Sequence, residues 1–172
     1  LRETWWSMPA TTAGWSRAQR AKAFLGRHAP LWIGELAMKP VARALRQDPD
    51  AALRRLFHGL PDADVVALNE PGVKQDFVDT LREAFRSGTA GVALDFALGM
   101  KPWGFGTADI SAQVHLWHGE DDTIVPVSMG HRLAQSIPGC TATFLPGEGH
   151  FSLLPNHATE ILRAVCGESR TR

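Results

Sequence analysis

An aspartate and a histidine lie at similar points after two apolar stretches of this chain. Asp122 follows the stretch 114–118 and a glycine turn, and His150 lies in a glycine-flanked loop after the stretch 141–145. An imidazole with a pKa of about 6.5 takes a proton from a nucleophile and returns it to a leaving group. A carboxylate that accepts the second ring proton fixes the tautomer that this step requires. The pattern predicts that His150 is the base and Asp122 the acid of a nucleophilic triad.

Both residues also have a structural interpretation. Asp122 lies at the start of a helix that Pro126 begins, where a carboxylate caps the helix and favours its dipole, and His150 would then only fill a turn. Asp121 competes with Asp122 as the acid, one residue earlier in the chain. Glu148, next but one to the histidine, is a further acid that could adjust the pKa of His150, although exposed carboxylates contribute little to such pairs.

A metal site is the main rival interpretation for a chain that is rich in histidine. His115 and His118 are three residues apart on a predicted strand, so their side chains point to opposite faces and cannot bind one ion. The remaining histidines lack the spacing of metal ligands. We therefore expect no metal site, and we expect His118 to be a partly buried structural residue.

The nucleophile of a triad is missing from this sequence. A Gly-x-Ser-x-Gly turn, which presents the nucleophilic serine on a strand-turn-helix elbow, does not occur in it. Ser152 follows His150 closely but lacks such an elbow, and we reject it as the nucleophile. The expected source of the nucleophile is therefore another segment, either a preceding part of a longer protein or a second chain.

The residues before this pair, 1–101, are predicted to form a stack of short helices. Pro30, Asp48 and Pro71 have the residue types that begin helices, and Pro40 is expected to interrupt the helix that follows Pro30. Trp5, Trp6, Trp32 and Met38 in this region, together with Phe151 beside the histidine, are candidates for an apolar substrate pocket. Apolar side chains at helical spacing also form ordinary cores, so both interpretations stay open.

Residues 102–172 have a different pattern, in which strands alternate with helices. Strands are predicted at 114–118 and 141–145, and helices at 126–137 and 156–166, the last with Ala158, Ile161, Leu162 and Val165 facing inward. This order predicts an α/β fold in which two parallel strands are neighbours with a right-handed crossover. A parallel pair is not stable by itself, so the predicted sheet is incomplete in this chain.

Composition excludes several classes of partner. The 172 residues contain 18 basic and 18 acidic side chains. A net charge of zero argues against binding to nucleic acid or to an anionic membrane. No apolar stretch reaches the length of a membrane span, and the first residues do not have the pattern of a signal peptide. We expect a cytoplasmic protein in which Cys140 and Cys166 are free thiols.

The sequence resembles the C-terminal half of the α/β-hydrolase fold family. The resemblance rests on Pro102-Trp103-Gly104-Phe105, Asp109-Ile110, Gly119-Glu120-Asp121-Asp122-Thr123-Ile124-Val125-Pro126 and Gly147-Glu148-Gly149-His150. It implies that residues 1–101 are a helical cap, that 102–172 are the C-terminal part of the core, and that Asp122 and His150 are the acid and the base. It also implies a serine-type hydrolase of an ester, lactone or similar small apolar substrate, without a cofactor.

A non-catalytic function is the alternative. An incomplete sheet exposes a strand edge, and such an edge can pair with a second copy of the chain by strand addition or domain swapping. A homo-oligomer of this kind would bury the apolar strand residues without forming an active site.

Overall fold

The computed structural model describes residues 17–99, 101 and 104–167. These residues form two compact units. The first comprises the described residues within Leu1–Gly59 and Pro71–Gly104, and the second comprises those within Leu60–Glu70 and Phe105–Arg172. The segment 60–70, which belongs to the helical region in the sequence, therefore clusters with the strands.

The first unit is helical, as its sequence predicts. Its helices are α1 (Arg17–His28), α2 (Leu31–Gln47), α3 (Pro49–Leu56), α5 (Pro71–Ala84) and α6 (Ala90–Gly99). Its buried core consists of Ala42, Leu45, Ala52 and Phe85, and Met38 packs against this cluster. Among the helices that the structure describes, in either unit, none has the length and apolarity needed to cross a membrane.

The predicted interruption at Pro40 is wrong, because α2 continues through this residue. A proline inside a helix removes one backbone hydrogen bond and frees the carbonyl four residues earlier, here that of Leu36. Pro40 and Leu36 are both exposed, so water can hydrate the freed carbonyl. Contacts of α2 with α3, α5 and α6 then stabilise the helix on both sides of the proline.

The second unit contains the parallel strand pair that the sequence predicts. Its elements are α4 (Asp62–Asn69), a short 3-10 helix (Thr107–Asp109), β1 (His115–Gly119), α7 (Val127–Ser136), β2 (Thr141–Leu145) and α8 (Leu153–Cys166). In the described residues the sheet has two strands, and His115 pairs with Thr141 while Gly119 pairs with Leu145. Because the strands are parallel neighbours, the residues that follow Gly119 and Leu145 lie at the same edge of the sheet.

The last helix differs from its prediction in two ways. α8 begins at Leu153, three residues earlier than expected. Leu162 and Val165, predicted to face inward, are 61% and 65% exposed. Apolar periodicity indicates which face of a helix is suited to burial, but a sheet with two strands in the described structure covers only part of a helix of fourteen residues. Cys140 and Cys166 are free thiols, as expected.

Candidate active site

The structure brings Asp122 and His150 together at the edge where β1 and β2 end. The Nδ1 atom of His150 lies 2.9 Å from Oδ2 of Asp122, which is hydrogen-bonding distance. Asp121, the competing acid, is exposed, and its backbone N–H donates to the carbonyl oxygen of Glu148. The geometry therefore agrees with the pairing of Asp122, rather than Asp121, with the histidine.

The turn after β1 fixes the Asp122 carboxylate. Its Oδ1 atom accepts backbone N–H groups from Ile124 at 2.8 Å and from Val125 at 2.7 Å, which leaves Oδ2 for His150. The interpretation of Asp122 as a helix cap is wrong, because α7 begins at Val127 after Pro126 and has no side-chain cap, so Asp122 holds only the turn before the helix. Burial raises the pKa of Asp122, but the hydrogen bonds from His150, Val125 and Ile124 outweigh burial and hold the pKa below its ordinary value. Asp122 is therefore ionised at neutral pH.

The environment of His150 favours the protonated ring. The hydrogen bond to Asp122 raises its pKa, burial lowers it, and the charges of Asp122 and Asp64 raise it further, so the pKa lies above its ordinary value. The side chain is 36% exposed. Its Nε2 atom makes no hydrogen bond to any residue in the described part of the chain, so this nitrogen is available to a reacting group.

These pKa shifts predict how the His150–Asp122 pair makes the free energy of unfolding depend on pH. The raised pKa of His150 contributes stability that is complete below about pH 6.5 and is lost as the pH rises through the folded-state pKa. The lowered pKa of Asp122 contributes stability above about pH 3.9, which is lost as the pH falls through the depressed value. We expect the wild type to exceed His150→Gln in stability most between these limits, and the difference to decrease above pH 6.5.

Urea unfolding of both proteins from pH 4 to pH 9 measures this difference. His157→Gln is the reference for the direction of the effect, because His157 also has a raised pKa, which arises from its hydrogen bonds to Glu160 and Glu148, and its replacement should show the same sign of pH dependence. A stability difference between the wild type and His150→Gln that increases with rising pH would contradict the assigned direction of the shift.

A buried aspartate that the sequence analysis missed binds the histidine loop. Asp64, near the start of α4, is fully buried. Its Oδ2 atom accepts the N–H of His150 at 3.0 Å, and its Oδ1 atom accepts those of Phe151 at 2.8 Å and Ser152 at 2.9 Å. The sequence offers only one signal for this residue, an acid beside the apolar stretch 65–68. Periodicity does not connect residues more than eighty positions apart.

Two glycines of the sequence motifs allow backbone segments to approach closely. A Cβ atom on Gly119 would collide with the carbonyl oxygen of Glu148, and one on Gly149 would collide with the carboxylate of Asp64. Neither glycine has a positive φ. These residues are therefore needed for space and not for a left-handed backbone.

Ser152 is buried beneath the loop, and its hydroxyl group is occupied. The side chain is fully buried, and its Oγ atom accepts the N–H of Gly149 at 2.8 Å. This environment agrees with the rejection of Ser152 as a nucleophile.

Glu148 contacts α8 rather than the ring of His150. Its carboxylate accepts hydrogen bonds from Asn156 Nδ2, at 3.2 Å to both oxygens, and lies 3.1 Å from Nε2 of His157. Burial raises the pKa of Glu148, but hydrogen bonds from Ser152, Asn156 and His157 lower it below its ordinary value. Glu148 therefore joins the loop to α8.

The side chain of His118 contacts the turn that carries Asp122. Its Nε2 atom lies 2.9 Å from the carbonyl oxygen of Val125 and 3.8 Å from Oδ2 of Asp122. A Cβ atom on Gly130 would lie 2.7 Å from Nδ1 of His118, so α7 packs closely on the ring. Within the described residues, no group of three histidine, cysteine or acidic side chains is placed to hold a metal ion.

The predicted pocket residues have different environments. Trp5 and Trp6 lie outside the described residues. Trp32 is 63% exposed. Met38 lines a cavity of about 400 Å³ in the first unit, whose other lining residues are mostly apolar and come mainly from α1, α2 and α6. The Phe151 ring lies edge-on to that of His150, with centroids 4.9 Å apart. The role of all five in binding substrate stays a prediction.

Comparison with known proteins gives similarity to solved structures only. No protein-family profile and no curated protein matches the sequence. An esterase from Exiguobacterium antarcticum matches 77% of this chain over 47% of its own, at 13% identity and a TM-score of 0.46. A bromoperoxidase from Bacillus anthracis matches 75% over 46% of its own, at 19% identity and a TM-score of 0.46. The esterase RhEst1 from Rhodococcus sp. ECU1013 matches 78% over 48% of its own, at 21% identity and a TM-score of 0.42.

The chain thus spans about half the length of the solved structures that it matches. These structures are esterases, a bromoperoxidase and other proteins of the α/β-hydrolase fold, the family that the sequence motifs resemble.

Proposed function

We propose that this chain supplies the acid and the base of a serine-type α/β-fold hydrolase that acts on an ester, lactone or similar small apolar substrate. The observation that carries the proposal is the 2.9 Å contact between Nδ1 of His150 and Oδ2 of Asp122. It leaves Nε2 of His150 available at a partly exposed position. Acyl transfer requires a buried acid on one ring nitrogen of the base and an accessible second ring nitrogen that can exchange a proton with the reacting groups.

Each stage of the proposed reaction, acylation and deacylation, needs two proton transfers at Nε2 of His150. The ring accepts the proton of a serine hydroxyl as the serine oxygen bonds to the substrate carbonyl carbon, and it then donates that proton to the leaving alcohol oxygen. Water hydrolyses the resulting acyl-enzyme by the same steps, with His150 again as the base. Throughout, Asp122 holds the proton on Nδ1 and stabilises the imidazolium.

The nucleophile of this proposal comes from a segment other than these 172 residues. That segment is either a preceding part of the same polypeptide or a second chain, and it would also add strands beside β1 and β2. The exposed positions of Leu162 and Val165 on α8 support the proposal, since further strands would cover apolar side chains of this kind.

Labelling with a fluorophosphonate, which reacts with activated serines, tests the proposal. The probe is applied to the native protein in its source cells, and the protein is recovered with an antibody against this chain. We expect a labelled serine in a Gly-x-Ser-x-Gly turn, in the same polypeptide or in one that co-purifies, and no labelling when His150 is replaced with alanine. Labelling that does not depend on His150 would overturn the proposal.

A second expectation concerns the chain of 172 residues by itself. It should hydrolyse p-nitrophenyl acetate no faster than its His150→Ala variant, because Ser152, the serine two residues after the base, is buried and hydrogen-bonded. Initial rates at pH 8 for the two purified proteins measure this. A rate that depends on His150 in the isolated chain would contradict the inference that the nucleophile lies elsewhere.

The non-catalytic alternative rests on the two-stranded sheet of the described residues, to whose strand edges a second copy of the chain could add its own strands. Such a copy, rather than a hydrolase segment, would then also cover Leu162 and Val165. Sedimentation of the purified chain separates the two functions when combined with the labelling experiment. A stable homo-oligomer that is never associated with a labelled serine would favour the interaction module.

A further inference from the structure

The backbone of the histidine loop is bound by a carboxylate from a distant part of the sequence. Asp64 is fully buried and accepts N–H groups from three consecutive residues, His150, Phe151 and Ser152. Hydrogen bonds from N–H groups to a carboxylate are about twice as strong as those between neutral groups. A loop held by three of them has little freedom to change the position of its side chains.

The contact between Asp64 and the loop 149–152 joins parts of the chain that are distant in sequence, unlike a helix cap from a neighbouring residue. Asp64 is the third residue of α4, and the segments before and after Leu60–Glu70 belong to the first unit. The chain therefore leaves the helical unit, contacts the base loop through Asp64, and returns to the helical unit. A cap for the start of α8 could be supplied by a neighbouring residue, as Asp48 does for α3.

We propose that Asp64 is a positioning residue, whose buried carboxylate holds the loop 149–152 and thereby keeps the ring of His150 in contact with Asp122. Its meaning for catalysis rests on the proposed function, whereas the positioning itself does not. Gly149 completes the arrangement, because any side chain there would occupy the space of the carboxylate.

The test compares Asp64→Asn with Asp62→Asn by NMR. An asparagine at position 64 turns an NH₂ group towards at least one of the three N–H donors, so at least one strong hydrogen bond is lost. We expect amide exchange at 150–152 to become at least about tenfold faster. The pKa of His150 should fall, because the charge of Asp64 contributes to its elevation. Asp62 is exposed in the first turn of the same helix. Asp62→Asn therefore removes an equal charge, but it should change neither the amide exchange at 150–152 nor the pKa of His150.

A second variant separates the hydrogen bonds from the charge. Gly149→Ala keeps the carboxylate but adds a methyl group in its space, and we expect it to increase amide exchange at 150–152 as Asp64→Asn does. Ser152→Ala, which removes a hydroxyl group from the same turn and leaves Asp64 intact, should change exchange at His150 and Phe151 by less than about threefold. It remains decisive if the other variants do not fold.

The proposal is overturned if folded Asp64→Asn retains wild-type exchange and an unchanged His150 pKa. It is also overturned if Ser152→Ala by itself increases amide exchange at His150 and Phe151 by about tenfold or more, or if the amides of 150–152 are unprotected in the wild type. None of these measurements needs a nucleophile or a substrate. The test of Asp64 therefore remains valid if the proposed hydrolase function is wrong, and the tests of the hydrolase function remain valid if Asp64 does not position the loop.

Discussion

Replacing Asp122 with asparagine is expected to lower kcat by about four orders of magnitude in the protein that contains both this chain and its nucleophile. An asparagine that keeps its carbonyl oxygen on the N–H groups of Ile124 and Val125 must turn its NH₂ group towards Nδ1 of His150. The imidazole then accepts a hydrogen bond at Nδ1 and carries its own proton on Nε2. A ring in this tautomer cannot remove the proton of a serine.

Asp121→Asn is the matched control for this loss. It removes the same charge one residue earlier, from an exposed side chain, and should change kcat by less than about threefold. The measurement is kcat for a p-nitrophenyl ester with both variants of the complete protein. In the chain by itself, an NMR titration should show a lower pKa for His150 in Asp122→Asn, because that hydrogen bond is the main cause of its elevation. Equal losses of kcat in the two variants would contradict the assignment of Asp122 as the acid.

The pairing of Asp122 with His150 could be predicted from the sequence because topology determines it. Two apolar stretches separated by one helix favour parallel neighbouring strands, and parallel neighbours end at the same edge. Each residue lies a few positions beyond its strand, so strand positions accurate to within a residue or two suffice to bring them together. The resemblance to the α/β-hydrolase fold, in which the acid follows the glycine by three residues, also implies Asp122 rather than Asp121.

The support of the site by Asp64 could not be predicted in this way. The contact joins α4 to a loop more than eighty residues later, and it depends on where a single carboxylate is buried. The apolar stretch 65–68 beside Asp64 does not indicate which element this segment packs against. Propensity and periodicity report local structure, whereas this contact depends on the packing of the whole unit.

The inward face of α8 shows a related limit. Its periodicity correctly predicts a helix, but Leu162 and Val165 are exposed in the described structure. The pattern records which side chains favour burial, and burial also requires a surface to pack against. A two-stranded sheet provides little such surface.

Replacing Gly119 with alanine is expected to destabilise the fold by about 3 kcal/mol or more. The added Cβ atom would lie 2.6 Å from the carbonyl carbon of Glu148 and 2.6 Å from the carbonyl oxygen of Gly149. Both atoms belong to the backbone, so no side-chain rotation relieves the overlap. The loop must move away from β1, which breaks the hydrogen bond from the Asp121 N–H to Glu148 and separates His150 from the acid turn.

Gly91→Ala tests whether this loss comes from the clash rather than from the exchange of glycine for alanine. Gly91 lies in α6 without a positive φ, and apart from its chain neighbours and the nearby backbone of its own helix, no atom of the described residues lies within 4 Å of the added Cβ position. Alanine there should stabilise the helix by about 0.5 kcal/mol, since glycine is the poorer helix former. Urea unfolding measures both variants, and the Nδ1 proton resonance of His150 reports the contact with Asp122. A Gly119→Ala protein as stable as the wild type would show that the strand and the loop are not packed as described. In that case the close packing of β1 on the loop of His150 would not explain the contact between His150 and Asp122.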